Sequence, residues 1–581
     1  MTGLTLRRGL AALLSTALVF LTVPIAHAQS VDDLPSVTDT YALENARVVQ
    51  APGEVLESAT VVVEDGLIEA VGDDVDVPYD ARRIEADSLV VYAGFIDGLS
   101  HAGVEMPDDD SENGDDGEDV NPGNPPSDLA GIQPDRSVRP FLTPDDSDLG
   151  TLRKNGFTAG HVVPDGDMLP GAGAIAFYGG DSADDMVLTE NPALFAQIST
   201  ASGYVYPATD MAVIAKMRQL FREADRRKQL EAQYQQNPRG MRQPPQDPVH
   251  SALFPVLGDE TPLAFYADEA LSLHRILDLR QELGFPVMLA GLAQSHELIG
   301  ALEGVDAPLF LTLDLPEEPK RSAESDTTVA DTTDQPSEYY NPDLRTPSQD
   351  AMDEEEQNLE LRHAMERQQY LETAATLHEA GIQFGFTTRE AKPGDVRGNL
   401  RAMIENGLPE ETALAALTTR PASLLGLDNQ LGTVEEGKIA NLVVTDGDYF
   451  AEDTEVQHTF VDGRLYDYTS DAEEGEITAD VSAVVGTWSY TLETPQGDLE
   501  GTITIEGDQS GLEGTFTGPQ GEEEDLQGIS FDGTTLSFSV SSPQGTISIS
   551  VTVEGDTFEG TASGDFGSFP ITGERTSGPG R

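Results

Sequence analysis

Short apolar runs separated by Asp-Gly breaks mark the start of the folded chain. Ala46-Arg47-Val48-Val49 and Ala59-Thr60-Val61-Val62-Val63 come first, then Glu64-Asp65-Gly66, then Leu67-Ile68-Glu69-Ala70-Val71-Gly72. β-Branched runs joined by Asp-Gly predict strands paired as hairpins. The same pattern returns far along the chain, at 440–444 and 459–464. Between these two sets, residues 93–429 alternate strand-like and helix-like stretches, the order expected of a βα barrel. Within them, 221–234 reads as a charged helix ended by Asn237-Pro238-Arg239-Gly240.

Two segments break the rhythm. Residues 105–140, with Asp108-Asp109-Asp110, and 316–358, with Glu354-Glu355-Glu356, lack apolar periodicity. They are expected as loosely held acidic insertions, and neither has the spacing of a calcium loop. After an acidic linker at 471–480, residues 484–581 alternate with period two and turn often, predicting an antiparallel meander of about eight strands. At the other end, Arg7 and Arg8 precede an apolar run at 9–23, and Ala26-His27-Ala28 stands before Gln29. This reads as a signal peptide at 1–28. The protein is therefore expected to be exported, periplasmic or extracellular. The run is too short for stable membrane insertion.

Charge and cysteine content narrow the function classes. The 581 residues include 104 Asp and Glu against 33 Lys and Arg, a formal net charge of -71, and only six of the basic residues are Lys. The acidity is spread along the chain. It describes either an acid-coated soluble protein or, the reading preferred here, a halophile's protein whose mutual repulsion is screened by concentrated salt. Such a field excludes nucleic acid and anionic lipid headgroups as partners. The chain has no Cys, which excludes disulfides, a thiol nucleophile and thiolate metal sites.

Ala93-Gly94-Phe95-Ile96-Asp97-Gly98-Leu99-Ser100-His101 resembles the G-F-I-D-x-H-x-H signature of the amidohydrolase superfamily, with Leu99 in the first His position. Further matches follow in the order of its imidazolonepropionase-like and prolidase-like branch. They are the helix-to-strand step at 152–158, the Gly-rich loop Leu169-Pro170-Gly171-Ala172-Gly173, Tyr206-Pro207-Ala208-Thr209-Asp210-Met211, the last barrel helix at 411–427, and Leu431-Gly432-Thr433 continuing to Leu442. The resemblance implies an α/β fold class. A (β/α)8 TIM-like barrel would occupy 93–429, and a small composite β-sandwich would form from 40–92 with 430–468. The tail at 484–581 resembles the lipocalin-like barrels attached to some secreted relatives, giving a C-terminal antiparallel β-barrel in which Trp488 is expected as a plug.

The resemblance also implies zinc or another divalent metal at the C-terminal strand ends, activating water to attack a carbon–nitrogen bond other than a peptide bond. Four of the implied positions are substituted: Leu99, Tyr266, Ala290 and Thr388. His101 alone cannot hold a metal that wants about three protein ligands. His161 follows Thr158-Ala159-Gly160. It is either a second group reaching the same mouth or a strand-end residue making one hydrogen bond. His101 and His161 are the candidate catalytic residues, and no metal-ligand set or cofactor is assigned. Asp97 is expected to hold strand and loop together. Asp268, Asp314 and Glu390 lie near strand ends with no evident pairing, and Lys216 sits inside a helix. Two readings remain: a hydrolase of carbon–nitrogen (non-peptide) bonds with a largely eroded metal centre, or a non-catalytic pseudoenzyme. The second would bind a small-molecule ligand or a homologous amidohydrolase subunit, as a homo- or hetero-oligomer.

Overall fold

The structure, a computed structural model, describes residues 40–106, 121–202, 205–316, 362, 365, 367–469 and 484–577. The last stretch is interrupted at 495–496, 509–510, 519–522, 532–534, 543–544, 556 and 565–566. The leader, residues 107–120 of the first acidic insertion, all of the second beyond 316 and the linker at 471–480 lie outside the described residues.

β1 (Tyr41–Ala51), β2 (Glu54–Glu64) and β3 (Leu67–Gly72) pair as hairpins, with β4 (Arg82–Glu85) and β5 (Val90–Ala93) parallel to β1. Asp65 and Gly66, at φ 49° and 82°, supply the left-handed corner that the β2–β3 turn needs. The chain then builds a second sheet from β6 (Phe95–Ser100), β7 (Phe157–Val162), β8 (Gly171–Phe177), β9 (Val187–Gln197), β10 (Leu263–Tyr266), β11 (Val287–Gly291), β12 (Leu309–Thr312) and β13 (Gly385–Thr387). It returns to the first sheet with β14 (Leu442–Thr445), β15 (Val456–Val461) and β16 (Arg464–Asp467).

The two arms share one mixed sheet, in the order β16-β15-β14-β5-β1-β2-β3 with β4 on β1, and it folds over so that Tyr41 of β1 meets Phe460 of β15 with ring centroids 5.4 Å apart. β14 pairs edge to edge with β5, from Leu442↔Ala93 to Thr445↔Val90, so the second arm lengthens the first sheet. Alternation along the strands serves both faces. Val90, Tyr92 and Val443 face the barrel's core, while Val91, Ala93, Leu442 and Val444 join Val61, Val63 and Phe460 in a separate apolar cluster.

The expected (β/α)8 class is corrected. Pairs β6–β7 and β9 through β13 are parallel, but β8 is antiparallel to both β7 and β9. The cause is loop length. Residues 163–170 and 178–186 are shorter than the roughly dozen residues a parallel crossover needs. The Gly-rich stretch at 169–173 is accordingly not all loop, because β8 begins at Gly171. No ladder joins β13 to β6, the two ends of the strand order. The first insertion is likewise corrected where it is described: Ile132 is 1% exposed and Val138 0%, bridged to β8 and the residues before it at Ser137↔Ala172 and Ile132↔Leu169.

Helices Asp210–Gln236, Ala270–Leu283 and Val396–Glu405 bury apolar faces against the barrel: Val213, Met217, Leu220 and Phe221 in the first, Leu273, Ile276 and Leu279 in the second. Inside the strands, Leu99, Val163, Ala193, Phe195, Ala264, Met288, Ala290 and Phe310 form one apolar plug. Packing there is tight at Gly98, where an added Cβ would lie 1.9 Å from Phe310 Cδ1. Gly98→Ala should therefore lower stability by about 1–3 kcal/mol or more through overpacking. Chemical denaturation measures this, and an unchanged midpoint would contradict the packing described.

β17 (Gly486–Thr494), β18 (Gly497–Asp508), β19 (Gly511–Thr517), β20 (Glu523–Phe531), β21 (Thr535–Ser542), β22 (Gly545–Glu554), β23 (Thr557–Gly564) and β24 (Gly567–Ser577) are each antiparallel to the next. β17 also pairs with β24, so the ladders run around a ring. Trp488 lies in its interior, 0% exposed, donating to Val484 O at 2.9 Å and packing on Phe558.

Candidate functional site at the barrel mouth

The C-terminal ends of β9, β10, β12 and β13 surround a cavity of ≈ 470 Å³ lined by Gln197, Tyr266, Asp268, Thr312, Asp314, Tyr370, Arg389 and Glu390, among others. This is the end of a barrel where loops carry chemistry. Asp268, Asp314 and Glu390, unpaired in the sequence, thus share one chamber. Burial and the facing Glu390 carboxylate raise the pKa of Asp314.

The substituted positions converge but offer no donor set. Leu99 and Ala290 are fully buried in the apolar plug, with Tyr266 packed against it. Thr388 sits beside Ser100, with hydroxyls 3.4 Å apart, and its own hydroxyl donates to Asp97. Among the described residues there is no group of three His, Cys, Asp or Glu placed to hold a metal. The side chains present do not fit the divalent metal that the fold family implies.

His101 is held on both ring nitrogens. Nδ1 lies 2.8 Å from Val163 O, an acceptor, so Nδ1 carries the proton. Nε2 accepts from Arg389 Nε–H at 2.7 Å. Burial, then the guanidinium beside it, lower the His101 pKa. Asp165 stands farther off, with Oδ1 3.9 Å from Nε2.

Arg389 is the functional residue that the sequence reading missed. It is 6% exposed, follows β13 directly, and also donates from Nη2 to Gln197 Oε1 at 3.3 Å. Its guanidinium carbon lies 4.2 Å from the Tyr266 ring centroid and 5.2 Å from that of Phe195, and Nη1 pairs with Glu390 at 3.2 Å. The available signal was a lone basic residue at the end of an apolar strand in a chain with few cations.

His161 does not share this mouth arrangement. It is 0% exposed, neither ring nitrogen has a well-formed hydrogen bond among the described residues, and it is not among the residues lining the cavity. Burial lowers its pKa to about 4, and the Gly98 backbone offsets only part of that. Gly173 makes room for it, since a Cβ there would lie 2.5 Å from Nε2.

Asp97 does what was expected of it, on a larger scale. Its carboxylate, 0% exposed, accepts from Leu99 N at 3.2 Å, Thr388 N at 3.0 Å, Tyr178 OH at 3.0 Å and the Thr388 hydroxyl. Burial nevertheless lifts its pKa to about 6. Together with Thr387 Oγ1 and Arg389 N, both donating to Leu99 O, it stitches β13 to β6 where no ladder does.

Residues 350–466 match the profile of the Amidohydrolase family. Among solved structures, an amidohydrolase from Thermotoga maritima MSB8 is 18% identical, covers 73% of this chain and 99% of its own, and superposes with a TM-score of 0.55. A putative prolidase from Bifidobacterium longum is 15% identical over 74% of this chain and 95% of its own, with a TM-score of 0.39. No curated protein matches the sequence. The family match spans 117 of the 581 residues, and at 18% identity the structural likeness shows the fold alone, a barrel of the amidohydrolase type. The positions that the resemblance implies for a metal centre are largely substituted, by Leu99, Tyr266, Ala290 and Thr388.

Proposed function

We propose that this protein uses the amidohydrolase barrel to bind a small polar molecule at its mouth without metal-dependent hydrolysis. The observation that carries the reading is the apolar plug. Leu99 and Ala290, which the family resemblance places at metal-ligand positions, pack with Phe195, Met288 and Phe310, directly beneath a polar cavity. The cavity's carboxylates outnumber its one guanidinium, which disfavours an anionic ligand. The competing reading, a surviving hydrolase of carbon–nitrogen bonds, requires an electrophile other than the divalent metal, which these residues do not fit. Metal analysis after dialysis against zinc, with assays on simple cyclic imides and dipeptides, separates the two. We expect no stoichiometric metal and no turnover. Tightly bound metal that disappears in His101→Ala would end the binding reading.

The same proposal places the protein outside the cytoplasm, supported by the leader at 1–28, and gives it a homologous amidohydrolase as a subunit partner. A clean monomer at native-like salt, with no co-purifying homologue from the native source, would count against that partner. Among the described residues no helix is long and apolar enough to cross a membrane. The net charge of -71 with few Lys supports a high-salt habitat. The Debye length falls from about 10 Å at 0.1 M to about 3 Å at 1 M, so melting temperature should rise with salt. An unchanged value between about 0.1 M and 3 M potassium chloride would remove that part of the proposal.

A further inference from the structure

We propose that Arg389 is the resident cation of this barrel: it hydrogen-bonds Nε2 of His101, the ring's one free lone pair, and fixes that imidazole in its Nδ1–H form. The inference goes beyond the binding reading and does not depend on a ligand being found.

The geometry supports it from four sides. First, His101 has two ring nitrogens and both are committed, Nδ1–H to Val163 O and the Nε2 lone pair to Arg389 Nε–H. A metal ion needs that same lone pair, so guanidinium and metal exclude one another on this ring. Second, the guanidinium is held in place by several contacts. It is 6% exposed, lies against the faces of Tyr266 and Phe195, and donates to Gln197 Oε1. Its planar fork fixes direction as a lysine ammonium would not. Third, the backbone places it. Arg389 N donates to Leu99 O at 3.2 Å, so the residue is registered against the strand that bears Leu99 and His101. Fourth, of the other positions implied for metal binding, Leu99 and Ala290 offer no donor atom, Thr388 spends its hydroxyl on Asp97, and Tyr266 presents its ring face to the guanidinium.

The chemical consequence is a change of electrophile. A guanidinium carries positive charge to the mouth but has no empty coordination position, and it cannot acidify a bound water as a metal does. It acts as a positioning residue for His101. The charged groups facing the ring are Arg389, Asp165 and Glu390, so removing Arg389 leaves only carboxylates around it.

Nitrogen-15 NMR of the histidine rings in the full chain tests this, with His101 assigned by its loss in His101→Gln. In the wild type we expect a proton on Nδ1, a bare Nε2, and no movement of either signal with equimolar zinc. Arg389→Met should shift the Nε2 resonance and raise the titration midpoint of the ring, and Arg389→Lys should recover part of both. A proton on Nε2 of the wild type, a zinc-induced shift at that atom, or an Arg389→Met ring identical to wild type would each overturn the proposal. If Arg389→Met fails to fold, the tautomer and zinc measurements on the wild type still decide. Turnover in the hydrolysis assays would end the binding reading and leave this one standing.

Discussion

Exchanging Asp97 for Ala should lower the unfolding free energy of the barrel by about 2–6 kcal/mol, from about 1–3 kcal/mol for each of two buried amide N–H groups left without an acceptor. The stranded donors are Leu99 N and Thr388 N, while the hydroxyls of Tyr178 and Thr388 can turn elsewhere. Asp97→Asn keeps the shape but replaces one acceptor oxygen with a donor, and should also be destabilising. The effect is large because these bonds stand where β13 and β6 lack a ladder. Urea unfolding followed in the barrel, separately from the C-terminal unit, measures it. A loss below about 1 kcal/mol, the scale of one ordinary hydrogen bond, would mean the seam is held by something else.

The second large effect depends on pH and comes from His161. Its folded pKa of about 4 lies below the ordinary 6.5, so on acidification the unfolded chain takes the proton first. Stability from this group is therefore lost as pH falls from about 6.5 to about 4, by about 3 kcal/mol in all at 1.36 kcal/mol per unit. Asp97 works in the opposite sense. Its folded pKa, about 6 against 3.8, means the folded state takes the proton first, so stability rises as pH falls through the same window. The two contributions offset one another, and the wild type should show little net slope from them. His161→Gln removes one side only. Its stability relative to wild type should climb by about 3 kcal/mol between pH 7 and pH 4. Denaturation at three pH values in that range provides the check, and a pH-independent difference would show that His161 is not held neutral by burial.

How much could be read beforehand depended on whether the signal was local. The hairpins of the arms are written in β-branched runs, and two of them turn at Asp-Gly corners, Asp65-Gly66 and Asp462-Gly463, while β1 turns into β2 at Pro52-Gly53. The G-F-I-D run located Asp97, and residue identity alone showed that Leu99 and Ala290 have no lone pair to give. The direction of β8 was not legible, because it follows from two connections too short for a crossover and not from any run of residues. The share of Arg389 in the site was hidden for a related reason. It meets His101 across 288 positions of sequence, and only the approach of the first and last barrel strands brings them together. His161 was left with two readings. The structure shows a fully buried ring with no well-formed hydrogen bond among the described residues, and a strand-end position in the sequence cannot reveal how deep a side chain lies.

The edge-to-edge junction of β5 with β14 also governs the order of events during synthesis. β5 is made early, yet its partner at 442–445 emerges only after the whole barrel has been translated. Until then β5 has an open edge, and the barrel face that Val443 covers stays wet. Contacts that wait for so distant a partner slow folding and leave an unpaired edge exposed to other chains. A nascent chain released anywhere short of β14 is therefore an aggregation hazard. The match between residues 350–466 and a known family includes the segment whose arrival closes the molecule.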